Sequence, residues 1–192
     1  MSIAESPPLT AEFLLTLPDD GIDRELVNGQ LRERPMTRRN RFHSRAVARL
    51  SHLLETWATL SSSPDVEVYS GEVGCILQRA PDTAVGIDVA VFSAEVIARQ
   101  TSETSMIEGA PLLAIEVLSP FDKIEDIHGK VDLYLNAGTS LVWIVDPYFQ
   151  TVQVHRRNAA PETFNCEESV EGGEVLPGLK LAVADVFGRP GK

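Results

Sequence analysis

Two carboxylates lie in strand-like segments whose other residues are apolar, and they are the strongest candidates for catalytic or metal-binding side chains. Asp88 lies in IDVAVF, and Glu116 is the one polar residue in LLAIEVL. Strands that are apolar on both faces lie centrally in an α/β sheet, where an uncompensated carboxylate costs several kcal/mol. Both carboxylates therefore require a cation, either a Lys or Arg side chain or a divalent metal.

The segment that follows Glu116 offers such a cation. Apolar residues recur at helical spacing over residues 123–137 and predict a helix, with Lys130 at the edge of its apolar face. Two carboxylates with a nearby ammonium form the set that metal-assisted phosphodiester hydrolysis uses. The carboxylates hold Mg²⁺ or Mn²⁺, and the ammonium offsets charge that develops on the phosphate. Lys123, on the same side of the helix, is the second choice.

Each of these residues also has an ordinary structural interpretation. A carboxylate at a strand end commonly pairs with an arginine, and a helix lysine commonly points into solvent. The sequence therefore leaves open a structural homo-oligomeric protein in which Asp88 and Glu116 merely pair with Lys130 or an arginine.

The elements before these residues follow from capping and periodicity. Thr10 predicts the N-cap of a short helix that ends at Leu17, and Asn28-Gly29 predicts the type I′ turn of a hairpin in RELVNGQLRER. Apolar residues at helical spacing predict a long helix over residues 38–60, with His43 pointing inward.

The remaining elements predict an α/β fold. Strand-like runs cover residues 66–69, 73–77, 87–92, 112–118, 141–145 and 151–155, whereas 99–109 and 156–173 have the composition of loops. The helix at 123–137 joins two of these strands into a βαβ unit, so those strands are predicted to be parallel. We expect one domain, with an N-terminal helix and hairpin at about 10–34, a core at about 38–155 and a closing segment at about 174–188.

Composition limits the classes of function. The net charge of −11 argues against a protein that coats nucleic acid non-specifically. Seven arginines nevertheless fall between residues 32 and 49, and four of them form a stripe on the long helix: Arg38, Arg41, Arg45 and Arg49. The stripe suits phosphate contacts, and it equally suits a solvated face that balances the acidic body. No run is long enough to span a membrane, and Cys75 and Cys166 are expected to be free thiols, so we expect a cytoplasmic protein.

The order of these motifs resembles the putative restriction endonuclease family, a branch of the PD-(D/E)xK nuclease superfamily. The motifs are LTAEFLLTLPDDG, RELVNGQLRERP, His43 near the start of the long helix, IDVAVFS, EGAPLLAIEVLSPFD and KVDLYLNAGTSLVWIVDP. The resemblance implies a restriction-endonuclease-like mixed β-sheet flanked by helices and an Mg²⁺- or Mn²⁺-dependent endonuclease. It also implies a nucleic acid substrate, with DNA expected, and a homodimer.

The resemblance also assigns residues. It implies that Asp88 is the "PD" aspartate and Glu116 the "(D/E)" acid, although Leu118 stands where the family pattern has its lysine. The lysine is then implied to come from the following helix, as Lys130. Glu25 matches the hairpin glutamate and is the third candidate metal ligand. The supporting candidates are His43, Glu72, Lys123 and Tyr134.

The missing lysine leaves another function open. A chain that keeps the nuclease fold without the in-strand lysine could act as a nucleic-acid-binding or regulatory module with little or no catalysis.

Overall fold

The structure is a computed structural model that describes residues 7–35, 40–60, 65–101, 104–120 and 122–188. Its helices are α1 (Ala11–Leu15), α2 (Arg41–Leu60), α3 (Ala94–Ala98), α4 (Ile124–Ala137) and α5 (Val183–Phe187). Its strands are β1 (Ile22–Val27), β2 (Gln30–Pro35), β3 (Val66–Gln78), β4 (Thr83–Ser93), β5 (Ile107–Glu108), β6 (Leu113–Val117), β7 (Leu141–Asp146), β8 (Thr151–His155), β9 (Glu162–Phe164), β10 (Ser169–Glu171) and β11 (Lys180–Ala182).

A mixed sheet forms the centre of the molecule. In the described part of the chain, nine strands join in the order β2-β1-β4-β6-β7-β8-β9, with β3 on β4 and β5 on β3, while β10 and β11 form a separate ribbon. β6 and β7 are parallel and are joined by α4, whereas β8 is antiparallel to β7. The predicted βαβ unit, its antiparallel neighbour and the N-terminal hairpin are therefore confirmed.

Strand β4 has three neighbours, which produces a break in its hydrogen bonding. β3 pairs with it along residues 83–93 and so occupies one edge of the strand. A strand has two edges, so β1 and β6 must share the other. β1 meets that edge at Leu26↔Ala84, and β6 meets it at residues 89–91. Residues 85–88 lie between these two partners and are called the strand gap below.

Two helices cover opposite faces of the sheet. Leu50 and Leu54 of α2 belong to the same buried cluster as Val89, whereas Tyr134 of α4 belongs to the cluster that contains Ala90. Because side chains alternate along a strand, the face that carries Ala90 also carries Asp88. Residue 88 therefore projects on the α4 side of the sheet.

Several predicted boundaries were wrong. The predicted loop at 99–109 contains β5, and the predicted loop at 156–173 contains β9 and β10. The runs at 66–69 and 73–77 form one strand, β3, whose bulge holds Gly71 and Glu72 at positive φ. β5, β9 and β10 are three residues long or shorter, which is too short to show the alternation of a strand. The first helix ends at Leu15 rather than Leu17.

Asn40 caps the N-terminus of α2, which begins at Arg41 rather than at residue 38. Its Oδ1 atom accepts hydrogen bonds from the backbone N–H groups of Phe42 (2.9 Å) and His43 (3.1 Å). We expect Asn40→Ala to lower the free energy of unfolding by about 1 kcal/mol, measured by urea denaturation. Asn136→Ala, at an exposed position inside α4, is the control and should cost nothing. Equal losses in the two variants would contradict the capping role.

Candidate active site

Asp88 and Glu116 face each other where β4 and β6 separate. The antiparallel register runs through Val91↔Leu113, Ala90↔Ala114 and Val89↔Ile115 and then stops. One further step along each strand brings residue 88 opposite residue 116, and opposite residues of an antiparallel pair project from the same face. Both carboxylates therefore emerge at the strand gap. Asp88 is 5% exposed, and the Glu116 side chain is 15% exposed.

Among the residues that the structure describes, Val117 and His43 hold the carboxylate of Asp88. The backbone N–H of Val117 donates to its Oδ2 atom at 2.8 Å. The Nε2 atom of His43 lies 3.2 Å from each carboxylate oxygen. A carboxylate only accepts hydrogen bonds, so this imidazole must carry its proton on Nε2 to bond there. His43 is 3% exposed, which confirms that it points inward.

Lys130 reaches the carboxylates from α4. Its Nζ atom lies 3.2 Å from both oxygens of Glu116, 3.2 Å from Glu25 Oε1 and 3.2 Å from the carbonyl oxygen of Gly86. Gly86 lies in the strand gap, where its carbonyl has no ladder partner from β1 or β6. Lys123 is exposed at the N-cap of α4 and lies along the same cavity, so Lys130 is the lysine that meets the carboxylates.

Tyr134 lies one turn after Lys130 on the same face of α4. Its hydroxyl donates to Glu116 Oε1 and also lies 3.5 Å from the Gly86 carbonyl oxygen. The tyrosine is fully buried. Residues four apart on a helix are neighbours, so α4 presents an ammonium and a hydroxyl to one carboxylate. Burial and the adjacent Glu116 carboxylate raise the pKa of Tyr134 well above its ordinary value, so the hydroxyl stays a donor.

The ionisable side chains in this cluster shift one another's pKa values. Burial raises the pKa of Glu116 to about 7, and repulsion from Asp88 and Glu25 adds to this, while Lys130 and Tyr134 work against it. Burial alone would lower the pKa of Lys130, but Glu116 and Glu25 outweigh burial and raise it. Lys130 is therefore a cation at neutral pH, and a second cation would stabilise the ionised form of Glu116.

The pKa of Glu116 predicts how stability changes with pH in metal-free protein. Its folded value of about 7 exceeds the ordinary 4.5, so the folded state holds the proton longer than the unfolded state does. The contribution of Glu116 to the free energy of unfolding should therefore fall by roughly 3 kcal/mol as the pH rises from about 4.5 to about 7. Glu116→Gln should remove that slope in urea unfolding with EDTA. Glu55→Gln, at an exposed position on α2, should keep it, and an unchanged slope in Glu116→Gln would contradict the assignment.

Two further acids lie at the strand gap. Glu25 is 5% exposed and accepts from Arg34 Nη2 at 2.7 Å as well as pairing with Lys130. Glu72 lies in the β3 bulge at φ 62°, and a Cβ added at Gly86 would lie 3.0 Å from its Oε2 atom. Among the residues that the structure describes, no three His, Cys, Asp or Glu side chains are arranged as a ready metal cluster.

The strand gap opens into a cavity of about 750 Å³. Its lining includes the candidate residues Glu72, Asp88, Glu116, Lys123 and Lys130. A volume of this size lies within the range of ordinary ligand pockets. Carboxylates and ammonium groups are therefore concentrated on the wall of a space that a small ligand or part of a larger one can enter.

The arginines of the stripe that the structure describes do not line this cavity. Arg38 lies outside the described residues. Arg49 Nε donates to the Asp185 carbonyl, and a Cβ added at Gly188 would collide with the Arg45 guanidinium. The guanidinium carbon of Arg41 lies 4.6 Å from the ring centre of Phe42. Two of the described arginines therefore contact α5 and the residue after it, and phosphate contact by the stripe stays a prediction.

A family model described as "Uma2: Putative restriction endonuclease" matches residues 10–184, which is nearly the whole chain. The chain belongs to the Uma2 family. A crystal structure titled as a putative nuclease of DUF820 from Anabaena variabilis has the same fold as this Uma2 chain. Its TM-score is 0.76 at 24% sequence identity, over 94% of this chain and 98% of that one.

The comparisons confirm the predicted family and the restriction-endonuclease-like fold. At this level of identity the likeness to the solved structure shows the fold alone. No curated protein matches the chain. None of the helices that the structure describes is both long enough and apolar enough to cross a membrane.

Proposed function

We propose that this Uma2 protein is a divalent-metal-dependent nuclease that hydrolyses phosphodiester bonds at Asp88, Glu116 and Lys130. One observation carries the proposal: two carboxylates face each other at a break in the central sheet, with a partly buried ammonium 3.2 Å from one of them. A purely structural protein gains little from a buried cluster of charged side chains, because apolar residues of similar volume would stabilise the fold as well or better.

The donor set fits Mg²⁺ or Mn²⁺. Mg²⁺ is usually bound by one or two carboxylates, with water and substrate phosphates completing the shell, so a protein cage of three ligands is not required. Asp88 and Glu116 would hold the ion, and Glu25 is the candidate third ligand although it also pairs with Arg34. When bound, the metal polarises the phosphate and lowers the pKa of water.

The other residues position these groups and stabilise charge. Val117 and His43 fix the Asp88 carboxylate, and Tyr134 orients that of Glu116. Lys130 stays protonated at neutral pH, so its role is to donate to a phosphate or water oxygen as negative charge develops, and not to remove a proton. Its contact with Glu116 leaves the ammonium beside the expected position of that phosphate.

Nucleic acid is the substrate that this chemistry implies, and DNA is the first choice by resemblance to the family. Cutting both strands of a duplex is easiest with two copies related by a twofold axis, so the proposal includes a homodimer.

The proposal is tested by incubating the purified protein with Mn²⁺, Mg²⁺ or EDTA and with single- and double-stranded DNA and RNA. We expect cleavage that requires metal and that disappears in Asp88→Ala and in Glu116→Ala. Glu55→Ala, at an exposed position on α2, is the control and should cleave normally. Cleavage that survives both site substitutions would refute the assigned site, and a wild type inactive on every substrate would refute the nuclease function.

A binding module without catalysis is the second candidate. Leu118, at the position of the family's in-strand lysine, is the specific observation in its favour. Metal-dependent binding of nucleic acid without any cleavage would support this function over the first.

A further inference from the structure

Three exposed aromatic residues lie at the N-terminus of α2 and just after the end of β7. Phe42 and Tyr148 are each 45% exposed, and Phe149 is 82% exposed. With Arg41 they are called the aromatic platform below. Within the described residues, seven large apolar side chains are exposed, and three of those seven lie on this platform. A single exposed apolar residue is ordinary, whereas a group of them indicates a contact surface.

The platform is held in place by residues from two distant parts of the chain. The rings of Phe42 and Tyr148 pack edge to face, with centroids 5.9 Å apart. Asn40 Nδ2 donates to the Tyr148 hydroxyl at 2.8 Å. Asp146 Oδ1 accepts from the backbone N–H groups of Tyr148 (2.7 Å) and Phe149 (3.0 Å). These contacts fix the Tyr148 ring and the backbone at Phe149 before a ligand binds, which reduces the entropy cost of binding.

Both halves of the platform adjoin residues that hold Asp88. Phe42 directly precedes His43, whose Nε2 lies 3.2 Å from the Asp88 carboxylate. On the other side, β7 ends one residue beyond Val145, which pairs with Val117, and the N–H of Val117 donates to Asp88. The platform is therefore linked through the backbone to two groups that hold Asp88, at the end of the sheet where β6 and β7 finish.

The platform combines aromatic faces with a positive charge. Arg41 places its guanidinium carbon 4.6 Å from the Phe42 ring centre, on a protein whose net charge is −11. Unpaired nucleic acid offers the matching chemistry, because each nucleotide carries a negative phosphate and a base with an open π face. Bases inside a duplex are already stacked on their neighbours and offer no such face.

We propose that the aromatic platform stacks unpaired bases of the strand whose phosphate lies at Asp88 and Glu116. This inference rests on the proposed function and adds a substrate class to it: single-stranded nucleic acid, or duplex with unpaired bases beside the cut. The sequence alone does not show the platform, since Phe42 and Tyr148 are far apart in the chain and meet only in the folded structure.

The test measures binding and cleavage separately. Anisotropy of a labelled oligothymidine is followed with EDTA present, first as a single strand and then paired with oligodeoxyadenosine. We expect Phe149→Ala to weaken single-strand binding roughly tenfold and to leave duplex binding unchanged, while Phe149→Trp retains it. Leu60→Ala is the matched control, because Leu60 is 80% exposed at the far end of α2, roughly 28 Å from Arg41. Both alanine variants should have the thermal stability of wild type.

The outcomes separate this inference from the nuclease function. Unchanged single-strand binding in Phe149→Ala, or an equal loss in Leu60→Ala, would overturn the platform. If the platform were overturned but the wild type still cleaved nucleic acid with Mn²⁺, the nuclease function would stand without the platform. Ring-dependent binding of single strands with no cleavage under any metal would support the platform and refute the nuclease function. A wild type that binds no single strand in EDTA would overturn the platform, and the nuclease function would then be decided by the Mn²⁺ cleavage assay alone.

Discussion

Lys130→Met is expected to lower the rate of metal-dependent cleavage by about 10²–10³-fold and the free energy of unfolding by about 3 kcal/mol. The rate falls because a preorganised cation no longer stabilises charge on the phosphate. Stability falls because Glu25 and Glu116 are left buried without the ammonium that contacts both. Single-turnover cleavage and urea denaturation at pH 8 measure the two effects.

Lys123→Met is the matched control for this variant. Lys123 is exposed at the start of the same helix and lines the same cavity. We expect its loss to change the rate less than about threefold and stability by less than about 0.5 kcal/mol. A larger rate loss in Lys123→Met than in Lys130→Met would transfer the catalytic assignment to Lys123.

A second substitution tests whether a lysine next to β6 can replace Lys130 of α4. Leu118 lines the cavity two residues after Glu116. Adding Leu118→Lys to Lys130→Met should recover at least about tenfold in rate if an ammonium at this cavity is what matters. No recovery by a folded double variant would show that the position on α4 is essential.

Asp88→Asn is expected to lower cleavage by about 10³-fold or more while the free energy of unfolding of metal-free protein stays within about 1 kcal/mol of wild type. A neutral amide loses the charge that holds a metal. It keeps an oxygen for the N–H of Val117, and it removes the repulsion that raises the pKa of Glu116. Activity and stability should therefore separate in this variant, unlike in Lys130→Met.

The same measurement tests the structural alternative. If Asp88 served only to hold the sheet together, stability and cleavage would fall in parallel. Calorimetric melting in EDTA and again with Mn²⁺ provides the readout, because a metal that binds only the folded state raises the melting temperature of wild type and not of Asp88→Asn.

Local patterns were enough to predict most of the elements that position the site. Apolar spacing predicted α4, and the strands on either side predicted a βαβ unit that brings Lys130 near Glu116. The Asn28-Gly29 turn predicted the hairpin that carries Glu25. These features depend on residues that are close in sequence, so a local sequence pattern is enough to predict them.

Contacts between distant segments were not predictable. The bond between His43 and Asp88 spans 45 positions, and no periodicity links the two residues. Gly86 shows no sign in the sequence that its carbonyl would accept from Lys130. The two-residue strand β5 depends on pairing with β3, about 30 positions earlier in the chain, which a local pattern does not record.

The strand gap also affects how such a site can be found in a sequence. Because one edge of β4 is divided between two partners, the backbone of residues 85–88 faces a space that side chains from a neighbouring strand or from the covering helix can enter. In this chain the ammonium comes from Lys130 on α4, while residue 118 on the strand side is a leucine. A search for a rigid acid-x-lysine pattern would therefore pass over this chain.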